Sequence, residues 1–308
     1  MKGLVYKSTG SWYKVKSEEG NFFECRLKGK FRIKGLKVTN PVSVGDVVDF
    51  EIEKGKETGI ISKIEERENY LIRKSVNLSK QYHILASNVD QAILVATVTQ
   101  PDTLNEFIDR FLVSVTAYNI PAVVIVNKLD LYKDKHLERL ADWDIIYSEA
   151  GYSVLPISVE KGINIDKVEE LFKGKTTVLS GNSGVGKSSL LKKLIPDLEI
   201  AVKEISEMHQ QGVHTTTFAE MYDLPFGGHL IDTPGIRGLG VVDIEPEELS
   251  NYFPEFLKLK PNCKFNNCVH INEPQCAVKD ALEEGVIAPE RYNSYLSIYN
   301  NDQDENYR

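Results

Sequence analysis

The chain has 308 residues, 42% hydrophobic and 27% charged, which leaves room for two or three globular domains. No run of about eighteen apolar residues occurs, so a membrane-spanning helix is excluded, and MKGLVYKSTGSWYK lacks the apolar core of a signal peptide, so a cytoplasmic protein is expected. The net charge of −8 is uneven: residues 1–75 carry 16 Lys and Arg against 11 Asp and Glu, which places any nucleic-acid contact at that end.

Residues 1–66 read as short strands separated by turns. In FECRLKGKFRIKG (23–35), Cys25, Leu27, Phe31 and Ile33 can face one way while Arg26, Lys28, Lys30, Arg32 and Lys34 line the other. Further strand signals are VGDVVDFEIE (44–53) and GIISKIEE (59–66). The pattern predicts an OB-type β-barrel over 1–68, with the five basic residues as candidate RNA contacts. Trp12, Tyr13, Phe22 and Phe23 either stack on bases or pack the barrel core.

Over 69–242 the texture changes to strand–helix alternation, predicting a parallel sheet with helices on both faces. Strands are expected at 91–97, 122–127, 153–158, 176–181 and 229–235, and helices at 105–118, 135–151, 168–172 and from about Gly186. From 243 to 308 the strand signal stops, and Pro, Cys and short amphipathic helices take over.

GNSGVGKS, comprising Gly181, Asn182, Ser183, Gly184, Val185, Gly186, Lys187 and Ser188, fits the G-x-x-x-x-G-K-[ST] phosphate loop; Ser189 follows it into a helix-like run. Glycines let successive N–H groups turn onto phosphates, and the helix N-terminus adds its positive end. Lys187 is then the β/γ-phosphate ligand and Ser188 a Mg²⁺ ligand. DTPG, Asp232 to Gly235, ends an apolar strand; Asp232 is expected on the Mg²⁺ side and the Gly235 N–H at the γ-phosphate. NKLD decides the base. A carboxylate at Asp130 accepts from guanine N1–H and the 2-amino group, and adenine offers neither. Lys128 lies along the base, Asn127 ties this loop to the phosphate loop, and Ser158 and Val159 loosely match a further guanine-contacting loop.

NKLD and SVE precede GNSGVGKS, and DTPG comes last, so the GTPase domain is circularly permuted. The segment after DTPG therefore runs directly into the C-terminal region. There, Cys263-x₄-Cys268-x-His270-x₅-Cys276 supplies three thiolates and one imidazole, a full tetrahedral set for one structural Zn²⁺. Cys25 alternates with core residues and is expected to be buried.

The permuted order, GNSGVGKSSL, the HTTT run at 214–217, DTPGIRGLG and the zinc spacing together resemble the RsgA family, also called YjeQ or YloQ, over essentially the whole chain. The resemblance implies an OB domain, a permuted GTPase domain and a zinc domain. It also implies GTP hydrolysis stimulated by the small ribosomal subunit, whose maturation these bacterial GTPases assist through its rRNA, and the protein is expected to be a monomer. The family commonly has Arg before HTTT, where this chain has Val213. Ile236, after DTPG, cannot orient water as the Gln of Ras-like enzymes does. The resemblance points instead to His214, which could alternatively cap a loop or contact RNA. It makes Thr216, over Thr215 or Thr217, the threonine that closes on Mg²⁺. Two rivals remain: a P-loop phosphotransferase, and a nucleotide-gated RNA-binding protein without hydrolysis.

Overall fold

The structure, a computed structural model, describes residues 1–28, 38, 40–74, 82–196, 219–232 and 244–306. Lys30, Arg32, Lys34, His214, Thr216 and Gly235 lie outside the described residues, as do Phe31, Ile33, Val213, Thr215, Thr217 and Ile236.

Five strands form the N-terminal barrel: β1 (Lys2–Ser8), β2 (Tyr13–Ser17), β3 (Phe22–Leu27), β4 (Val47–Ile52) and β5 (Thr58–Ile64). They pair in the order β1-β2-β3-β5-β4, and β4 returns to pair with β1, closing the barrel. Closure removes every free edge. The alternating apolar positions converge inside: Val5, Val15, Cys25, Val48, Phe50 and Ile61 are fully buried. Tyr13 joins them, whereas Trp12 and Phe22 stay exposed at 38% and 46%. The aromatic set therefore divides between core and surface.

A hairpin of β6 (Tyr70–Lys74) and β7 (Tyr82–Ser87) connects barrel and sheet. The sheet is built from β8 (Gln91–Ala96), β9 (Ala122–Val126), β10 (Ser153–Pro156), β11 (Thr176–Ser180), β12 (Glu220–Asp223) and β13 (His229–Asp232). Their order is β10-β9-β8-β11-β13-β12, with every pairing parallel except that of β12 with β13. The expectation of a parallel sheet thus holds for five strands. The sixth, antiparallel, follows from the short turn after Asp223, where Leu224 N–H bonds Gly228 O at 3.0 Å. Strands β8 and β9 are continuous apolar runs because helices cover both faces. Those helices are α1 (Asn105–Thr116), α2 (Asp134–Glu149), α3 (Ile165–Phe172) and α4 (Lys187–Leu194). In α1, Ile108, Phe111, Leu112 and Val115 recur at helical spacing and are buried.

Edge strand β12 also pairs with β1 at Lys7 and Glu220, so the barrel continues the sheet. Lys7 Nζ meets Glu220 at 3.0 Å, and Asp223 takes hydrogen bonds from Tyr6 OH and Lys16 Nζ, each at 2.6 Å. The C-terminal segment is helical: α5 (Pro254–Leu259), α6 (Ala277–Glu283) and α7 (Pro289–Asn306). Its core of Leu249, Phe253, Phe256, Tyr295 and Ile298 includes Val113 of α1, so it packs against that helix. Among the described residues no helix is long and apolar enough to cross a membrane.

Candidate nucleotide site and metal centre

The phosphate loop lies between the C-terminal end of β11 and the start of α4, the crevice where open α/β sheets bind ligands. Its shape depends on three glycines at positive φ: Gly181 (143°), Gly184 (81°) and Gly186 (97°). Two also have no room for a side chain. A Cβ on Gly181 would lie 2.2 Å from Val95 O, and one on Gly186 would lie 2.3 Å from Asn127 Nδ2. Val185 points into the core, which anchors the loop, while Ser183, Gly184, Ser188 and Ser189 are exposed and Asn182 is half-buried. Lys187 Nζ donates to Gly181 O and Asn182 O at 2.6 Å each, holding the ammonium over the loop.

Asn127 directly follows β9 and is almost fully buried. Its Nδ2 donates to Val185 O at 2.9 Å, and its Oδ1 accepts from Val159 N at 3.2 Å. One amide therefore ties the NKLD loop to both the phosphate loop and the 158–160 loop. Buried Ser158 donates its hydroxyl to Asp130 Oδ1 and accepts from Lys161 N at 3.0 Å, which fixes an otherwise exposed carboxylate. Lys128, in the left-handed region at φ 68°, donates to Gln100 O. Asp232 ends β13 in register with Leu179, two residues before Gly181, and Glu220 pairs with it across the other edge. Burial pushes the Asp232 carboxyl above its ordinary range, against the pull of Lys187, a setting that favours a cation nearby.

The predicted nucleotide residues within the described part of the chain thus meet along one rim of the sheet. Arg26 and Lys28 lie on the barrel, far along the same sheet, and Arg26 is already engaged: it pairs with Glu53 at 3.1 Å and stacks over Trp12 at 5.0 Å. Sequence patterning missed the 97–104 loop, which lies beside Gly184 through Pro101. It also missed Tyr132, which bonds both Asn127 and Val98.

The second cluster is metal-like. The ligand atoms of Cys263, Cys268, His270 and Cys276 all lie within 4.8 Å of one another, and all four residues are buried. His270 Nδ1 faces Cys263 Sγ at 3.6 Å and Cys276 Sγ at 3.3 Å. Burial pushes the His270 imidazole down to about 4, leaving it in the neutral, coordinating form, and pushes the Cys268 thiol up to about 12. A buried thiolate there needs a compensating cation, and three soft sulfurs with one imidazole fit one structural Zn²⁺. Burial would raise Glu273, but its bonds from the Val269, Ile271 and Asn272 N–H groups outweigh it and hold the carboxyl low. These bonds shape the ligand loop from outside.

Comparison with known proteins agrees with the fold. Family models described as RsgA N-terminal domain and RsgA GTPase match residues 2–61 and 64–242. The chain is 57% identical over 310 residues to the small ribosomal subunit biogenesis GTPase RsgA of Christiangramia forsetii, covering all of this chain and 98% of that protein. It is 50% identical to the protein of that name from Bacteroides fragilis, over 100% and 99% of the two chains. The structure resembles YjeQ from Thermotoga maritima (36% identity, TM-score 0.80, 97% of each chain). It also resembles YloQ, described as a circularly permuted GTPase (33%, TM-score 0.77, 99% of this chain and 95% of that one). Matching motifs, fold and length together make this chain a member of the RsgA family, a circularly permuted GTPase that acts on GTP.

Proposed function

We propose that this GTPase acts in late maturation of the small ribosomal subunit, binding its rRNA and hydrolysing GTP to GDP and phosphate under stimulation by the subunit. The observation that carries the reading is end-to-end similarity to relatives named for small-subunit biogenesis. In this reading the chain divides into an RNA-binding barrel (1–68), a GTPase domain (69–242) and a zinc domain (243–308), and works as a monomer in the cytoplasm.

Asp130 reads the guanine edge, Lys128 lies along the base, and Asn127, Ser158 and Val159 hold that loop. The backbone of Gly181, Asn182, Ser183, Gly184, Val185, Gly186 and Ser189 cradles the phosphates, with Lys187 moving from the loop carbonyls onto the β- and γ-phosphates. Ser188, Thr216 and Asp232 would hold Mg²⁺, which supplies charge neutralisation at the phosphates when bound. The exposed Ser188 and the half-buried Asp232 fit that role, and the raised Asp232 carboxyl is consistent with it. Gly235 senses the γ-phosphate, and His214 orients the attacking water. Arg26, Lys28, Lys30, Arg32 and Lys34 meet rRNA phosphates. Because Arg26 must leave Glu53 to do so, it contributes less than a free cation would.

Co-sedimentation with purified small subunits, comparing GDP with a non-hydrolysable GTP analogue, tests the partner: tighter binding with the analogue is expected, and no binding in either state would overturn the reading. His214→Ala should keep GTP affinity and lose subunit-stimulated turnover. Unchanged turnover would remove His214 from the chemistry.

A further inference from the structure

Tyr132 lies two residues beyond Asp130, just past the NKLD loop, and its phenol joins two segments. The hydroxyl accepts from Val98 N at 2.9 Å and donates to Asn127 O at 2.6 Å. Burial pushes its pKa up to about 12, so it remains a donor at any working pH. Val98 lies in a loop (97–104) that is closed on itself: Thr97 Oγ1 donates to Pro101 O at 2.5 Å, and Thr103 Oγ1 accepts from Thr97 N at 3.1 Å. Arg139 of α2 grips the loop's outer side, meeting Asp102 Oδ1 at 2.5 Å and Thr103 O at 2.8 Å. The inner side touches both parts of the nucleotide site, since Gln100 O accepts from Lys128 Nζ and the Pro101 ring would lie 3.5 Å from a Cβ on Gly184.

We propose that Tyr132 is a positioning residue for guanine recognition, clamping the NKLD loop to a rigid 97–104 brace so that Lys128 and Asp130 are held in register with the phosphate loop. The inference rests on the reading of NKLD as the guanine loop. Asn127 has its side chain committed to the phosphate loop and the 158–160 loop and its N–H bonded to Ala96 O at 2.9 Å, so its carbonyl is the group that needs a separate anchor. Tyr132 supplies it. Phenylalanine at this position would keep the ring packing and lose both hydrogen bonds.

Tyr132→Phe should release GDP about tenfold faster and raise KM for GTP by a similar factor, the effect falling on KM rather than kcat. Inosine nucleotides separate positioning from general loosening. They lack the 2-amino group, so they use one fewer of the Asp130 bonds, and the wild-type preference for GDP over IDP should shrink in Tyr132→Phe. The inference is overturned if GDP affinity and release match wild type, or if GDP and IDP weaken equally alongside a lowered Tm. Should Tyr132→Phe not fold, Arg139→Gln loosens the same brace from its solvent side and should shrink the preference in the same direction; an unchanged preference there overturns the proposal. Asp130→Asn serves as a control. Loss of guanine preference in Asp130→Asn with none in Tyr132→Phe defeats only this inference, whereas an unaltered preference in Asp130→Asn defeats the guanine-loop reading beneath it.

Discussion

Gly186 occupies the point where two loops nearly touch. At φ 97° an L-residue costs about 1–2 kcal/mol, and a methyl group would lie 2.3 Å from the Asn127 amide nitrogen. Gly186→Ala should therefore push Asn127 off Val185 O as well as strain the loop. We expect GTP and GDP affinity to fall at least about tenfold, the equivalent of ~1.4 kcal/mol, with the barrel intact by circular dichroism; wild-type affinity would mean the tie is dispensable. A second residue-scale effect lies at the seam between barrel and sheet. Burial would raise the Asp223 carboxyl, but its bonds from Lys16 and Tyr6 and the nearby charges outweigh that and hold it low. A depressed folded pKa stabilises above the unfolded value of ~3.9 and loses that contribution as pH falls through the folded one. Stability should drop on the acid side below about pH 4, and Asp223→Asn should flatten that limb. An identical acid limb in the variant would remove Asp223 from the linkage.

At the scale of elements, the C-terminal helices illustrate a core too small to hold alone. Helices α5 and α6 have six and seven residues, below the length at which a helix is stable by itself. Their termini converge on the ligand loop: Cys263 follows α5 by one short turn, and Cys276 caps α6. With a metal held by these four ligands, metal binding and helix formation would be one process. Cys268→Ser, or a strong chelator, should increase hydrogen exchange across 245–300 and leave GDP affinity within about twofold, since the candidate nucleotide residues lie elsewhere. One zinc per chain by elemental analysis is expected for wild type. Native exchange protection in a zinc-free protein would show that the helices do not need the metal.

Across the whole molecule, two buried arginines hold the parts in place. Asp46, fully buried, accepts from Arg67 Nε and Nη2 at 2.6 Å each and from Ser87 Oγ at 2.6 Å, joining the barrel to the β6–β7 hairpin. Arg291 of α7 reaches Asp109 of α1 at 2.6 Å and Glu255 of α5 at 2.7 Å, its guanidinium stacked 4.7 Å over Phe253. The C-terminal segment is therefore anchored to α1, the helix that follows the 97–104 brace, as well as continuing from the segment after DTPG. Removing the cation would leave two carboxylates facing each other without compensation, which costs about 3–5 kcal/mol. Arg291→Met should lower Tm and expose α1 and α7 together in hydrogen exchange. Protection lost from α7 alone would mean the two helices are not docked through this pair.

The sequence by itself determined the chemistry. The phosphate loop, NKLD and the Cys₃His set are contiguous or nearly so, and their function depends on local backbone freedom and ligand type, which residue identity carries directly. It determined the permuted order for the same reason, and the strands QAILVA and AVVIV because a run buried on both faces is apolar throughout. Tertiary structure decided the rest. The four residues of β12 carry no alternation and form a strand only because β13 and β1 offer edges on either side. The division of the aromatic set, with Tyr13 inside and Phe22 outside, depends on barrel closure. Asp109 and Arg291 meet across 182 residues, and Tyr132 acquires its role from Val98, 34 residues away. Such pairings are set by how the chain packs, and no short window of sequence contains both partners.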